Sequence, residues 1–173
     1  MRRPRQRRLV VTMLGVALAL GCVVRGPGGP ARDGPLRISE VADEGDGTRR
    51  ASTRLVLTGL ESDAEFKPRL ARSQYERAIQ IDPTNPFAYL ALARHYADRS
   101  DPGRTLEYLD QAEILLGSQD LNFPRVEPHL SGLRGSALLA AGRSSEANPL
   151  LERADTLAPS VWGDARLSPE ELR

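Results

Sequence analysis

The chain is short of every side chain that cross-links a fold or carries common chemistry. Cys22 is its one cysteine, so no intramolecular disulfide and no thiolate zinc site can form. His95 and His129 are its only histidines. Neither has a second His or a Glu at HxxxH or HExxH spacing, and no metal site is expected. Lys67 is the single lysine, which excludes a Ser-x-x-Lys pair, and no G-x-S-x-G elbow occurs. No glycine-rich loop follows a strand pattern, so no phosphate cradle of that kind is expected. Aromatics make up 5% of the residues, and alternating β-branched stretches are missing, which argues against a β-sandwich. No catalytic constellation, cofactor or small-molecule substrate is legible.

Long apolar runs are also missing. The longest, Leu9 to Leu20, is shorter than the roughly 20 residues needed to span a bilayer. It follows Arg2, Arg3, Arg5, Arg7 and Arg8 and ends at Gly21-Cys22. That order is a basic n-region, a short h-region and a small residue before a cut site. Leu18-Ala19-Leu20-Gly21-Cys22 resembles the lipobox of bacterial lipoproteins. The resemblance implies a signal peptide over residues 1–21, removal of that leader, and acylation of Cys22. Gln6-Arg7-Arg8-Leu9-Val10 also loosely resembles a twin-arginine signal, without its usual Ser and Phe. Val23 after the cysteine favours the outer membrane over the inner, so the expected place is the periplasmic face of the outer membrane.

Five of the 24 basic residues fall in this leader, leaving 19 against 23 acids and a net charge of −4. A mildly acidic chain is a poor ligand for nucleic acid. Residues 22–48 read as the lipidated N-terminus and a flexible acidic linker. Gly26-Pro27-Gly28-Gly29-Pro30 resists helix and strand, and Asp33, Glu40, Asp43, Glu44 and Asp46 add charge. Asp43-Glu44-Gly45-Asp46 lacks the ligand order and closing Glu of a calcium loop.

From residue 49 the apolar residues take helical spacing. Six segments of about 11 to 14 residues follow, separated by Gly, Pro, Asp or Asn. Gly117 to Glu127 reads as a loop, and His129 as lying at a helix start after Pro128. Tyr75 and Leu109, Ala78 and Ala112, and Ile81 and Leu115 are each 34 apart. Small residues at Ala78, Ala93, Ala112, Gly135, Ala147 and Ala154 suit close helix crossings. Pro86 to Tyr96, Leu106 to Ala112, and Tyr75-Glu76-Arg77-Ala78-Ile79-Gln80-Ile81-Asp82-Pro83-Thr84-Asn85 resemble the tetratricopeptide repeat, a 34-residue helix pair. The fold class expected is all-α: a short superhelix of about three such pairs over residues 49–160, with a capping tail over 161–173. In that tail Trp162 and Leu167 are expected to cover the last repeat, and Ser168-Pro169-Glu170-Glu171 reads as a helix start.

In tetratricopeptide proteins the first helix of each unit lines a concave groove that holds a partner peptide. The resemblance places Phe87, Leu90, Arg94 and Asp98 in that groove, with Asn85 at the turn and His129, Ser136 and Leu139 in the next unit. It implies a non-catalytic adaptor that binds another envelope protein, held at the membrane by the lipid on Cys22. The alternative is an accessory or regulatory subunit of a cell-wall enzyme.

Overall fold

The computed structural model describes residues 34–119, 121 and 123–173. Cys22, the leader and the linker up to residue 33 lie outside the described residues. Eight α-helices and one 3-10 turn, Ile38–Val41, are present among them, and no strand. The helices are α1 Gly47–Ala64, α2 Pro68–Ile81, α3 Pro86–Ala97, α4 Pro102–Gln119, α5 Phe123–Ala140, α6 Ser144–Leu157, α7 Pro159–Trp162 and α8 Pro169–Leu172. The all-helical class read from apolar spacing is thus the observed one. No helix among the described residues is long and apolar enough to cross a membrane.

Local sequence sets the helix starts. Asp46 accepts from the Arg49 amide at 2.8 Å and caps α1. Asn85 does the same for α3 through the Phe87 amide, with Pro86 at the first helical position. Ser168 and Glu171 form a reciprocal capping box around α8. Pro68, Pro102, Pro159 and Pro169 each open a helix, where the missing amide proton costs nothing.

Consecutive helices pack as neighbours: α1 on α2, α3 on α4, α5 on α6. The odd-numbered members α1, α3 and α5 also lie side by side. Small residues mark the crossings. Ala78, Ala93, Ala112, Ala147 and Ala154 are fully buried. At Gly59 a methyl group would come within 2.3 Å of the Tyr75 ring, which is why α1 carries no side chain where α2 crosses it.

Three expectations are corrected. The helices are longer than read: α1, α4 and α5 each run 18 residues. The loop expected over Gly117 to Glu127 is largely helix, and Pro128 lies inside α5 rather than at its start. The periodicity of α4 and α5 fades near their junction, so the spacing of apolar residues could not mark their true ends.

The linker was expected to stay flexible to residue 48. Instead its outer part folds onto the body. Leu36, Ile38 and Val41 are buried, the Leu36 amide donates to the Arg125 carbonyl at 2.9 Å, and the Ser39 amide donates to the Arg173 carbonyl at 2.7 Å. Three apolar residues spread among charges are few for a sequence pattern. They suffice because α1, α5 and the C-terminal end present a ready surface for them.

Candidate functional site

The helices that the repeat resemblance would make the lining of a groove, α1, α3 and α5, lie side by side, and their common side is not open. It is occupied by the chain itself. Trp162 lies on Gly132 of α5, where an added methyl group would come within 2.4 Å of the indole. Ser136 of α5 donates to the Ala165 carbonyl at 3.3 Å. Arg94 of α3 meets the Leu167 carbonyl at 3.4 Å, and α8 packs on α1. The C-terminal segment therefore crosses all three helices rather than covering the last pair alone. Trp162, Leu167 and Leu172 are buried along the way.

This changes the part played by the residues expected to meet a partner. Asn85 is fully buried; it caps α3 and donates to Ser52 Oγ at 2.9 Å and Thr53 Oγ1 at 3.2 Å. Phe87 and Leu90 are core residues. His129 is fully buried, and its Nε2 lies 2.9 Å from the Leu36 carbonyl, so Nε2 carries the proton and donates. Nδ1 has no partner. Burial pushes the His129 imidazole down to about 4, against a smaller opposing effect of the Leu36 bond. Asp98 is exposed, and its carboxylate meets Arg94 at 3.0 Å and Arg166 at 3.8 Å. Leu139, on the last turn of α5, also remains exposed.

Arg94 belongs to a charged cluster that sequence reading did not assemble. Asp63, near the end of α1, accepts from Arg94 Nη2 at 2.8 Å, from His95 Nδ1 at 2.9 Å and from the Tyr75 hydroxyl at 3.1 Å, with Arg99 at 3.5 Å. Burial works to raise the Asp63 carboxyl, but the His95 hydrogen bond and the Arg94 charge outweigh it and hold it below the usual carboxylate range. The Tyr75 hydroxyl is pushed far up, first by burial and then by the Asp63 charge. A buried carboxylate with this many donors is a structural tie between α1, α2 and α3. Its members come from three helices, and nothing beside Asp63 in the sequence marks it as their partner.

Above this tie lies an open cleft of ≈ 720 Å³ between the α1–α2 turn, Asp98, Arg99 and the segment around Leu167 and Pro169. Phe66 stands on its rim with 91% of its surface exposed. Its backbone is left-handed, φ 58°, a conformation that suits glycine better than a bulky residue. One turn of chain further on, Leu70 is 47% exposed. No group of three or more metal-ligating side chains occurs among the described residues.

Comparison with protein families, with curated proteins and with solved structures finds no match to this chain.

Proposed function

We propose that this chain is a lipid-anchored, non-catalytic adaptor of the bacterial cell envelope. It is built as a short superhelix of about three tetratricopeptide-like helix pairs and binds another envelope protein. The pairing of α1 with α2, α3 with α4 and α5 with α6, with the first helices side by side, supports that architecture. The anchor reading rests on the leader and the Gly21-Cys22 pair.

The observation that carries the binding reading is Phe66. A side chain this apolar and this exposed is held out by a left-handed turn, four residues before the exposed Leu70, on a body in which Tyr75, Phe87, Tyr96 and Trp162 are buried. Such residues serve as anchors in interfaces. Because the tail fills the inner face, the partner meets the edge formed by the α1–α2 turn and the cleft beside it. The groove residues Arg94, Asn85 and His129 act on this contact only by holding the body together.

The test has two arms. Cys22→Ala is expected to abolish fatty-acid labelling and leave an uncut precursor; normal labelling of that variant would overturn the anchor. Phe66→Ala is expected to leave the melting temperature within about 2 °C while losing the partner in affinity capture from detergent extracts. Retention of a cell-wall synthase or hydrolase by the native chain, lost in Phe66→Ala, would assign the partner to the enzyme-accessory class.

A further inference from the structure

A second cleft, of ≈ 470 Å³, opens between the start of α2 and the α3–α4 turn. Four guanidinium groups line it. Arg69 and Arg72 come from the first turns of α2, Arg99 from the turn after α3, and Arg104 from the first turn of α4. One carboxylate, Asp101, stands among them. The chain as a whole is only mildly charged, so this concentration of one sign is local.

Two of the four are held in place by neutral groups. Arg104 Nη1 donates to the Tyr96 hydroxyl at 3.2 Å, and its guanidinium lies 5.0 Å from the centre of the Tyr96 ring. Arg99 Nη1 donates to the His95 carbonyl at 2.5 Å. The contacts with acids are looser: Arg72 with Glu76 at 3.3 Å, Arg99 with Asp63 at 3.5 Å and Arg104 with Asp101 at 3.7 Å. Asp63 is already committed to Arg94 and His95 at shorter range. His95 also lines the cleft and is 1% exposed. Its Nδ1 donates to Asp63, which fixes the ring at the back wall of the cleft.

Two preset planar forks, four guanidinium groups against one lining carboxylate and a concave shape suit an oxyanion. Charge on the lining exceeds what a single carboxylate would neutralise, which favours a dianion. We infer that this cleft binds a phosphate monoester, carried by a soluble small molecule or by a lipid headgroup. The site adjoins the Phe66 edge, since Arg99 and Pro68 line both clefts, but it does not depend on the adaptor reading.

Calorimetric titration of the full chain in about 0.15 M chloride, a salt level that screens surface charge over about 8 Å, tests it. Inorganic phosphate and glycerol phosphate are the soluble probes. Vesicles of phosphatidylcholine with and without phosphatidic acid are the lipid probes. Arg69→Gln and Arg104→Gln alter exposed side chains and are each expected to weaken phosphate binding about tenfold, equal to about 1.4 kcal/mol. Arg153→Gln, on the distant α6, is expected to change nothing. Tighter binding to phosphatidic acid vesicles than to glycerol phosphate, lost in the two cleft variants, assigns the lipid source; the reverse order assigns the soluble one. Absence of phosphate binding below about 10 mM, or an equal loss in Arg153→Gln, overturns the inference.

Discussion

Arg94 on α3 donates to Asp63 on α1 across 2.8 Å, and neither side chain is more than 4% exposed. Removing one member of such a pair strands the other charge away from water. Arg94→Met is therefore expected to cost about 3–5 kcal/mol of unfolding free energy, read from the urea midpoint. A loss below about 0.5 kcal/mol, the usual range for a surface substitution, would mean that Arg94 faces solvent and is free to meet a partner, as the repeat resemblance implied.

The same tie makes the fold sensitive to acid. The Asp63 carboxyl lies lower in the folded chain than its ordinary value of 3.8. Its contribution is thus present above the unfolded value and is lost as pH falls through the folded one. Asp63→Asn is expected to be less stable than the native chain at pH 7, with the gap closing as pH falls below 3.8 and through the lower folded value. A gap that stays constant down to pH 2 would contradict the ionised tie.

His129 gives a separate window. Its imidazole is lowered from 6.5 to about 4 in the folded chain, so the unfolded chain binds the extra proton between those values. Stability contributed by the neutral ring is present above pH 6.5 and is lost as pH falls toward 4, by about 3 kcal/mol in all. Comparing urea midpoints of the native chain and His129→Gln between pH 7 and 5 isolates this from the carboxylates. The native chain is expected to lose stability over that interval and the variant to stay nearly flat.

Gly132 decides whether the tail can lie on α5. A methyl group there would sit 2.4 Å from the Trp162 ring. Gly132→Ala is expected to push the indole off the helix, costing about 1–3 kcal/mol by overpacking. The readout is a red shift of tryptophan emission, which reports on Trp162 alone because it is the only tryptophan. Unchanged emission would show that the tail does not cross this face.

The helical class and the packed small residues were legible because both rest on spacing along one chain. Ala78, Ala112 and Ala154 are buried at crossings, as their recurrence implied. The turn at Asp82-Pro83-Thr84-Asn85 was legible too; Asp82 accepts from the Thr84 amide at 2.9 Å and Asn85 caps the next helix. Contacts made across distant segments were not legible. Nothing near Asp63 announces Arg94, and nothing near Leu36 announces His129, more than 90 positions away. For the same reason the spacing could not show that Phe87 is packed in the core, or that Arg94 is tied to Asp63 and lies under the tail. An open face on so short an array would leave large apolar area in water, and a tail carrying Trp162, Leu167 and Leu172 covers it.

The central claim is that the chain holds an envelope protein at the edge marked by Phe66. Replacing Phe66 by a photoreactive benzophenone residue and irradiating intact cells tests it most directly. The account predicts one discrete cross-linked protein adduct, absent when the same residue is placed at Ile114, which is also exposed but lies on α4. No adduct at position 66, or the same adducts at both positions, would contradict it.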